Sequence, residues 1–152
     1  MSTVRQSIDV DVPLHTAYNQ WTQFEEFPNF MDGVEEVRQV DDRHNHWKTS
    51  IAGVSREFDT EIVDQLPDER VSWRTVGGDV QQMGMVTFRK IDENHTRVSL
   101  AMEFEPEGLA ESAADTLGMV DWRVKGDLDR FKGFIEGRGG ESGGWRGRLT
   151  PA

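Results

Sequence analysis

The apolar residues of this chain keep one period for most of its length and then change to another, and that change restricts the folds open to it. Thr96, Val98, Leu100, Met102 and Phe104 alternate with Arg97, Ser99, Ala101 and Glu103, the pattern of a strand with one buried face. Past Pro106 the spacing becomes three and four. Leu117, Val120, Val124, Leu128, Phe131 and Ile135 mark one face of a long helix, predicted over 107–136. Its other face carries Asp121, Arg123, Lys125, Asp127, Asp129 and Lys132 and reads as solvated. Gly118, Gly126 and Gly133 each weaken such a helix by roughly 1 kcal/mol relative to Ala.

Upstream the period is two almost throughout. Ile8, Val10 and Val12 alternate with Asp9 and Asp11 in a first strand, which Pro13 closes while suiting the first turn of a helix. Ala17, Tyr18, Trp21 and Phe24 give a short helix from His15 to Phe24. A second follows to Met31, broken or kinked at Pro28. Five more strands precede the one at Thr96, separated by short turns such as Pro67-Asp68-Glu69-Arg70 and Gly77-Gly78-Asp79. Gly53 reads as a turn or a bulge. Short turns make successive strands antiparallel neighbours. One apolar sheet face must be covered, and the terminal helix, about 45 Å long at ~1.5 Å per residue, is the element long enough to do so. A helix laid across a curved sheet diverges from it at one end, and the two short helices would close the cavity left there.

Length and composition exclude several functions. A chain of 152 residues fits one domain, expected over 1–138, with a flexible Gly-rich tail over 139–152. Within that tail Trp145-Arg146-Gly147-Arg148 stands out, either as a frayed end or as a Trp docked on the body or a partner. The absence of Cys removes disulfides, thiol nucleophiles and cysteine-ligated zinc. With 17 Lys and Arg against 28 Asp and Glu, the net charge of -11 opposes binding to nucleic acid or to an anionic membrane. MSTVRQSIDV is no signal peptide, and no apolar run reaches membrane-spanning length, so a cytoplasmic location without membrane insertion is expected. His44 and His46 fall at a hairpin tip, where solvation explains them, so no metal is expected, nor any cofactor. Monomer and homodimer both stay open.

The aromatic residues carry the functional reading. Trp47, Phe58, Trp73, Phe88, Met102 and Phe104 come from successive strands on one predicted face, with Thr49, Thr60 and Thr75 as polar neighbours. Phe27, Phe30 and Met31 come from the short helices, and Leu117, Val120 and Val124 from the long one. Each alone fits a core. Together they fit the lining of a cavity for a flat or greasy molecule. No ionisable group is assigned to that lining.

Several stretches resemble the polyketide cyclase/dehydrase and lipid-transport family, within the START-like (SRPBCC) superfamily that includes the birch-pollen allergens. They are Val10-Asp11-Val12-Pro13 leading into Tyr18-Asn19-Gln20-Trp21, Phe24 to Met31, Pro67 to Trp73, Gly84 to Phe88, Thr96-Arg97-Val98, Arg130 to Glu136 and Trp145-Arg146-Gly147. The resemblance implies an α+β helix-grip fold: a curved seven-stranded antiparallel sheet around a long C-terminal helix, with two short helices after the first strand. It implies binding or transport of a small hydrophobic, lipid- or polyketide-like molecule. Aromatase/cyclase or dehydratase activity is the alternative. The related cyclases use a cavity-facing Arg to polarise a polyketide carbonyl. In the matching stretch, Arg56 to Ile62, Phe58, Thr60 and Ile62 face inward, and Arg56 shares their parity at the strand's start, where it is the catalytic candidate. A protein-interaction module acting through a sheet edge or the tail is a third reading.

Overall fold

The computed structural model describes residues 2–51, 53–78, 81–104, 113–138 and 140–151. Its elements run β1 (Ser2–Val10), α1 (Leu14–Trp21), a 3-10 helix (Phe24–Asn29), β2 (Val34–Gln39), β3 (His44–Ile51), β4 (Val54–Leu66), β5 (Arg70–Gly78), β6 (Gln82–Asp92), β7 (His95–Phe104) and α2 (Ala113–Arg138). This is the helix-grip order that the change of period predicts. The sheet order is β1-β7-β6-β5-β4-β3-β2, with every neighbour antiparallel. The chain meanders from β2 to β7, and β1 closes the far edge against β7.

Alternation decides which side chains enter the core. Along β7, Thr96, Val98, Leu100 and Phe104 are buried while Arg97 is exposed. Gly53, with φ +80°, makes the tight reversal between β3 and β4, a conformation that favours residues without a Cβ. The 13-residue β4 changes register against β5 at Asp59/Thr60 and again at Ile62/Asp64. Such irregularities bend a strand and increase its twist, which curls the sheet toward the helix.

The helix α2 spans 26 residues, about 39 Å at ~1.5 Å per residue. It is fixed along β1 by polar contacts as well as by its apolar stripe. Gln6 Nε2 donates to Asp121 Oδ1 at 2.7 Å, Lys132 Nζ to the Asp9 carbonyl at 2.9 Å, and the Asp11 amide to Glu136 Oε2 at 2.8 Å. Pro106 and the start predicted for this helix lie outside the described residues. The second short helix is a 3-10 helix with Pro28 inside it. Pro lacks the N–H that a longer α-helix would need at that position.

The segment after α2, expected as a Gly-rich tail, lies against the body of the domain. Gly140 to Pro151 is a strap along α1 and β4. Gln20 and Ser142 exchange two hydrogen bonds, with Gln20 Nε2 donating to Ser142 Oγ at 2.9 Å and the Ser142 amide donating to Gln20 Oε1 at 2.7 Å. The Trp145 amide donates to Thr22 Oγ1 at 3.0 Å. Arg146 donates to both carboxylate oxygens of Asp68 at 2.8 Å and lies over the Tyr18 ring. Leu149 and Gln65 exchange backbone hydrogen bonds at 2.8 and 2.9 Å. Of the two roles open to Trp145, the structure has its segment docked on the body.

Candidate functional site

Two regions lie between sheet and helix. In one, side chains fill the space. Trp21 meets Phe27, Phe30, Phe88 and Phe131 with ring centroids 5.1–6.4 Å apart, mostly tilted or edge-on, the arrangement aromatic quadrupoles favour. Leu128, Phe131 and Ile135 from α2 are essentially inaccessible there. In the other region the helix stands off from the sheet and leaves a cavity of about 610 Å³, within the size range of small-molecule sites.

Its sheet wall is built in rows, because paired residues on neighbouring strands share a face. Trp47 on β3 pairs with Phe58 on β4, and their rings stack at 5.6 Å and 11°. On one side of this aromatic row Asn45 pairs with Thr60, and on the other Thr49 pairs with Arg56. Trp47 Nε1 donates to Thr60 Oγ1 at 2.9 Å, which fixes the indole. Trp73 on β5 lies opposite Gly84 on β6. A Cβ at Gly84 would stand 2.5 Å from the Trp73 ring and 2.7 Å from the Met102 sulfur. Glycine at this point lets the indole lie across β6, and Met102 and Phe104 extend the wall. Phe27 and Met31 close it from the 3-10 helix and the loop after it, and Val120 and Val124 from α2. Met119 and Gln81, both exposed, mark the rim.

Of the residues picked from sequence, the wall brings together Phe27, Met31, Trp47, Thr49, Phe58, Thr60, Trp73, Met102, Phe104, Val120 and Val124, and also Arg56. Three others lie elsewhere. Phe30 and Phe88 belong to the packed region, against Trp21 and Phe131 and against Tyr18 and Trp21 respectively. The parity of a strand residue gives its face but not its position along the helix. Thr75 is engaged with β6, its Oγ1 donating to the Gln82 carbonyl at 2.8 Å and accepting from the Gln82 amide at 3.0 Å. The Leu117 side chain lies outside the described residues.

The wall, expected to be short of ionisable groups apart from the candidate Arg56, holds three more. Arg56, Asp32, Arg123 and Asp127 all line the cavity. Arg123 and Asp127 had been assigned to the solvated helix face, but they sit at the margin of the apolar stripe, one turn apart on the side facing the 3-10 helix. They grip the backbone of Asp32: Arg123 Nη1 donates to its carbonyl at 3.0 Å, and its amide donates to Asp127 Oδ1 at 3.2 Å. Arg130 joins the clasp, donating to Asp127 Oδ1 at 2.6 Å and to the Phe30 carbonyl at 3.0 Å. Burial pushes the Asp127 carboxyl above the ordinary aspartate value, and the Arg130 guanidinium offsets only part of that. Asn45 also escaped the sequence reading. It neighbours the hairpin-tip histidines but shares the parity of Trp47 and Thr49, and that parity was the available signal.

His44 and His46 face outward, with His44 against Asp41 and His46 between Asp59 and Glu57. No cluster of three or more metal-ligating side chains occurs among the described residues. No helix among them is long and apolar enough to cross a membrane.

A sheet curled around one long helix is the fold that comparison with known proteins returns. Residues 10–132 match the model of the family described as polyketide cyclase / dehydrase and lipid transport. The chain belongs to this family. Over 149 residues it is 58% identical to an uncharacterized 17.2 kDa protein of Streptomyces lincolnensis, covering 98% of this chain and 99% of that one. Among solved structures, a START superfamily protein of Mycobacterium smegmatis superposes with a TM-score of 0.81 at 13% identity, over 90% of this chain and 98% of its own. A Streptomyces aromatase/cyclase superposes with a TM-score of 0.75 at 14% identity, over 95% and 99%. At these identities the two structures establish the shared fold. Family membership likewise leaves the chemistry to be argued from the site.

Proposed function

We propose that this chain binds a small hydrophobic molecule, lipid- or polyketide-like, inside the cavity between the sheet and α2. One observation carries the reading: about 610 Å³ remain open beneath the helix, walled mainly by Trp47, Phe58, Trp73, Met102, Phe104 and Val124. Empty space of this size forfeits many dispersion contacts. A flat apolar ligand would restore them while leaving water. Membership in a family whose description includes lipid transport supports the same reading. The test is titration of the purified chain with an environment-sensitive naphthalene dye, together with mass spectrometry of its organic extract. One saturable dye site, competed by the extracted compound, is expected. Absence of saturable binding would overturn the proposal.

A second reading is an aromatase/cyclase or dehydratase acting on a polyketide-like substrate. It is favoured by Arg56 from β4 and Asp127 from α2, a cation and a buried acid that line the same cavity. Opposed to it, none of the four histidines lines that wall. Turnover of a linear poly-β-keto thioester, lost in Arg56→Ala at unchanged dye affinity, would establish it. Absence of turnover by the wild type would remove it.

A further inference from the structure

The cavity wall contains a polar atom that the protein itself leaves unmatched. Asn45 is 2% exposed, lines the cavity from β3, and its Oδ1 is fully buried without a hydrogen-bond partner. A buried acceptor left in this state costs about 1–3 kcal/mol, so such atoms are rare in folded proteins. Thr60, its cross-strand neighbour, is 1% exposed. Its Oγ1 is already an acceptor for Trp47 Nε1 at 2.9 Å. A threonine hydroxyl also carries a hydrogen to donate, and no hydrogen bond donated by it occurs among the described residues. Two adjacent groups on the same wall therefore offer a free acceptor and a free donor. The rings of Trp47 and Phe58 stand in the next row.

A hydroxyl is the smallest neutral ligand group that donates to one oxygen while accepting from another. A hydrocarbon or the tail of a fatty acid would leave both atoms unmatched. A bare carbonyl could accept from Thr60 but could not donate to Asn45 Oδ1. We propose that Asn45 and Thr60 form a buried seat for a ligand hydroxyl, and that the molecule bound here is a flat aromatic or polycyclic alcohol or phenol lying against the Trp47–Phe58 pair. The inference rests on the binding function proposed above and adds the chemical class of the ligand. Discrimination of this type is large because a seat built for hydrogen bonds rejects analogues that lack the group.

The test compares three naphthalenes on the full chain by calorimetry: 2-naphthol, 2-methoxynaphthalene, which keeps the oxygen without the donor, and 2-methylnaphthalene, which lacks both. The wild type should bind 2-naphthol at least about tenfold more tightly than either analogue. Asn45→Leu, close to isosteric and apolar, should abolish that preference. Asn45→Asp keeps an acceptor oxygen and should retain the preference. Equal binding of all three by the wild type would overturn the proposal and mean that Asn45 holds solvent only, while binding as such would stand. A preference that survives in Asn45→Leu would also overturn it. Should Asn45→Leu fail to fold, the wild-type ranking decides alone. If none of the three binds the wild type, the cavity-binding function itself falls, and that outcome is distinct from equal binding.

Discussion

The two halves of α2 face the same sheet and treat it differently. Its C-terminal half presents Leu128, Phe131 and Ile135, all essentially inaccessible, to a sheet backed by Trp21, Phe30 and Phe88. Its N-terminal half presents Val120 and Val124 across open space to Trp73 and Met102. On the helix the side chains are smaller at the open end, Val in place of Leu, Phe and Ile. No rings from α1 fill the space there as Tyr18 and Trp21 do against Phe88 and Phe131, and Gly84 removes the one side chain that would stand between Trp73 and Met102. A cavity of this kind arises where the partners of a long helix run out. Tight packing and open space are thereby assigned to opposite ends of one element.

That division can be broken most forcefully at the packed end. Phe131→Ala removes a ring that contacts both Trp21 and Phe30 at 5.1 Å. It should cost ~3–5 kcal/mol in urea unfolding, the usual range for a buried Phe, with little change in dye affinity for the molecules that stay folded. A comparable loss of dye affinity would show that the two ends are not separable.

The opposite experiment fills the open end. Val124→Phe adds volume where the wall faces empty space. Dye affinity should fall by about tenfold or more, equivalent to ~1.4 kcal/mol, while stability changes by less than the ~1–3 kcal/mol typical of overpacking a filled core. A destabilisation of that full size would mean that the space is not available.

Asp127 stands at the seam between the two ends, and its effect should depend on pH. Its folded carboxyl titrates above its ordinary value of 3.8, so the folded chain holds that proton more tightly than the unfolded chain. The resulting stabilisation is complete below the unfolded value and is lost as pH rises through the raised folded value. Asp127→Asn cannot titrate. The stability of wild type relative to Asp127→Asn should therefore fall as pH rises from the ordinary aspartate value of 3.8 through the raised folded value, measured by urea unfolding at each pH. A difference independent of pH would show that the carboxyl is not held in the protonation balance inferred from its burial.

The smallest effect is expected at the strap, which backs the packed end from outside. Arg146→Ala removes a half-exposed bidentate pair with Asp68 and the contact with Tyr18. Exposed ion pairs contribute ~0–1 kcal/mol, so thermal unfolding should shift only slightly and dye affinity not at all.

The fold was legible because alternation and helical spacing are local properties. Thr96 to Phe104 and Leu117 to Ile135 state their faces without reference to anything distant. The division of the interior was less legible. Phe88 and Phe58 carry the same signal of an aromatic on the inner face. What separates them is the presence of Tyr18 and Trp21 from α1 over Phe88, a contact 70 residues away in sequence that no local pattern encodes. Asp127 was misassigned because a helix face has a margin, and a carboxylate at that margin is inward or outward according to what packs beside it. The strap was not legible because glycines and serines report only that a segment lacks intrinsic structure. Its anchors, Gln20, Thr22 and Asp68, lie on elements far back in the chain.

The pairing of β1 with β7 has a consequence for how this protein is made. Val10 pairs with Thr96 and Ser2 with Phe104, so β1 has no partner until residues 96–104 have been synthesised. At about 5–20 residues per second that interval is roughly 5–20 s, during which β2 to β6 meander into place with their aromatic face uncovered. A nascent chain in this state exposes the same surface that lines the cavity of the finished protein. Chaperones and small amphiphiles would meet that surface before α2 does.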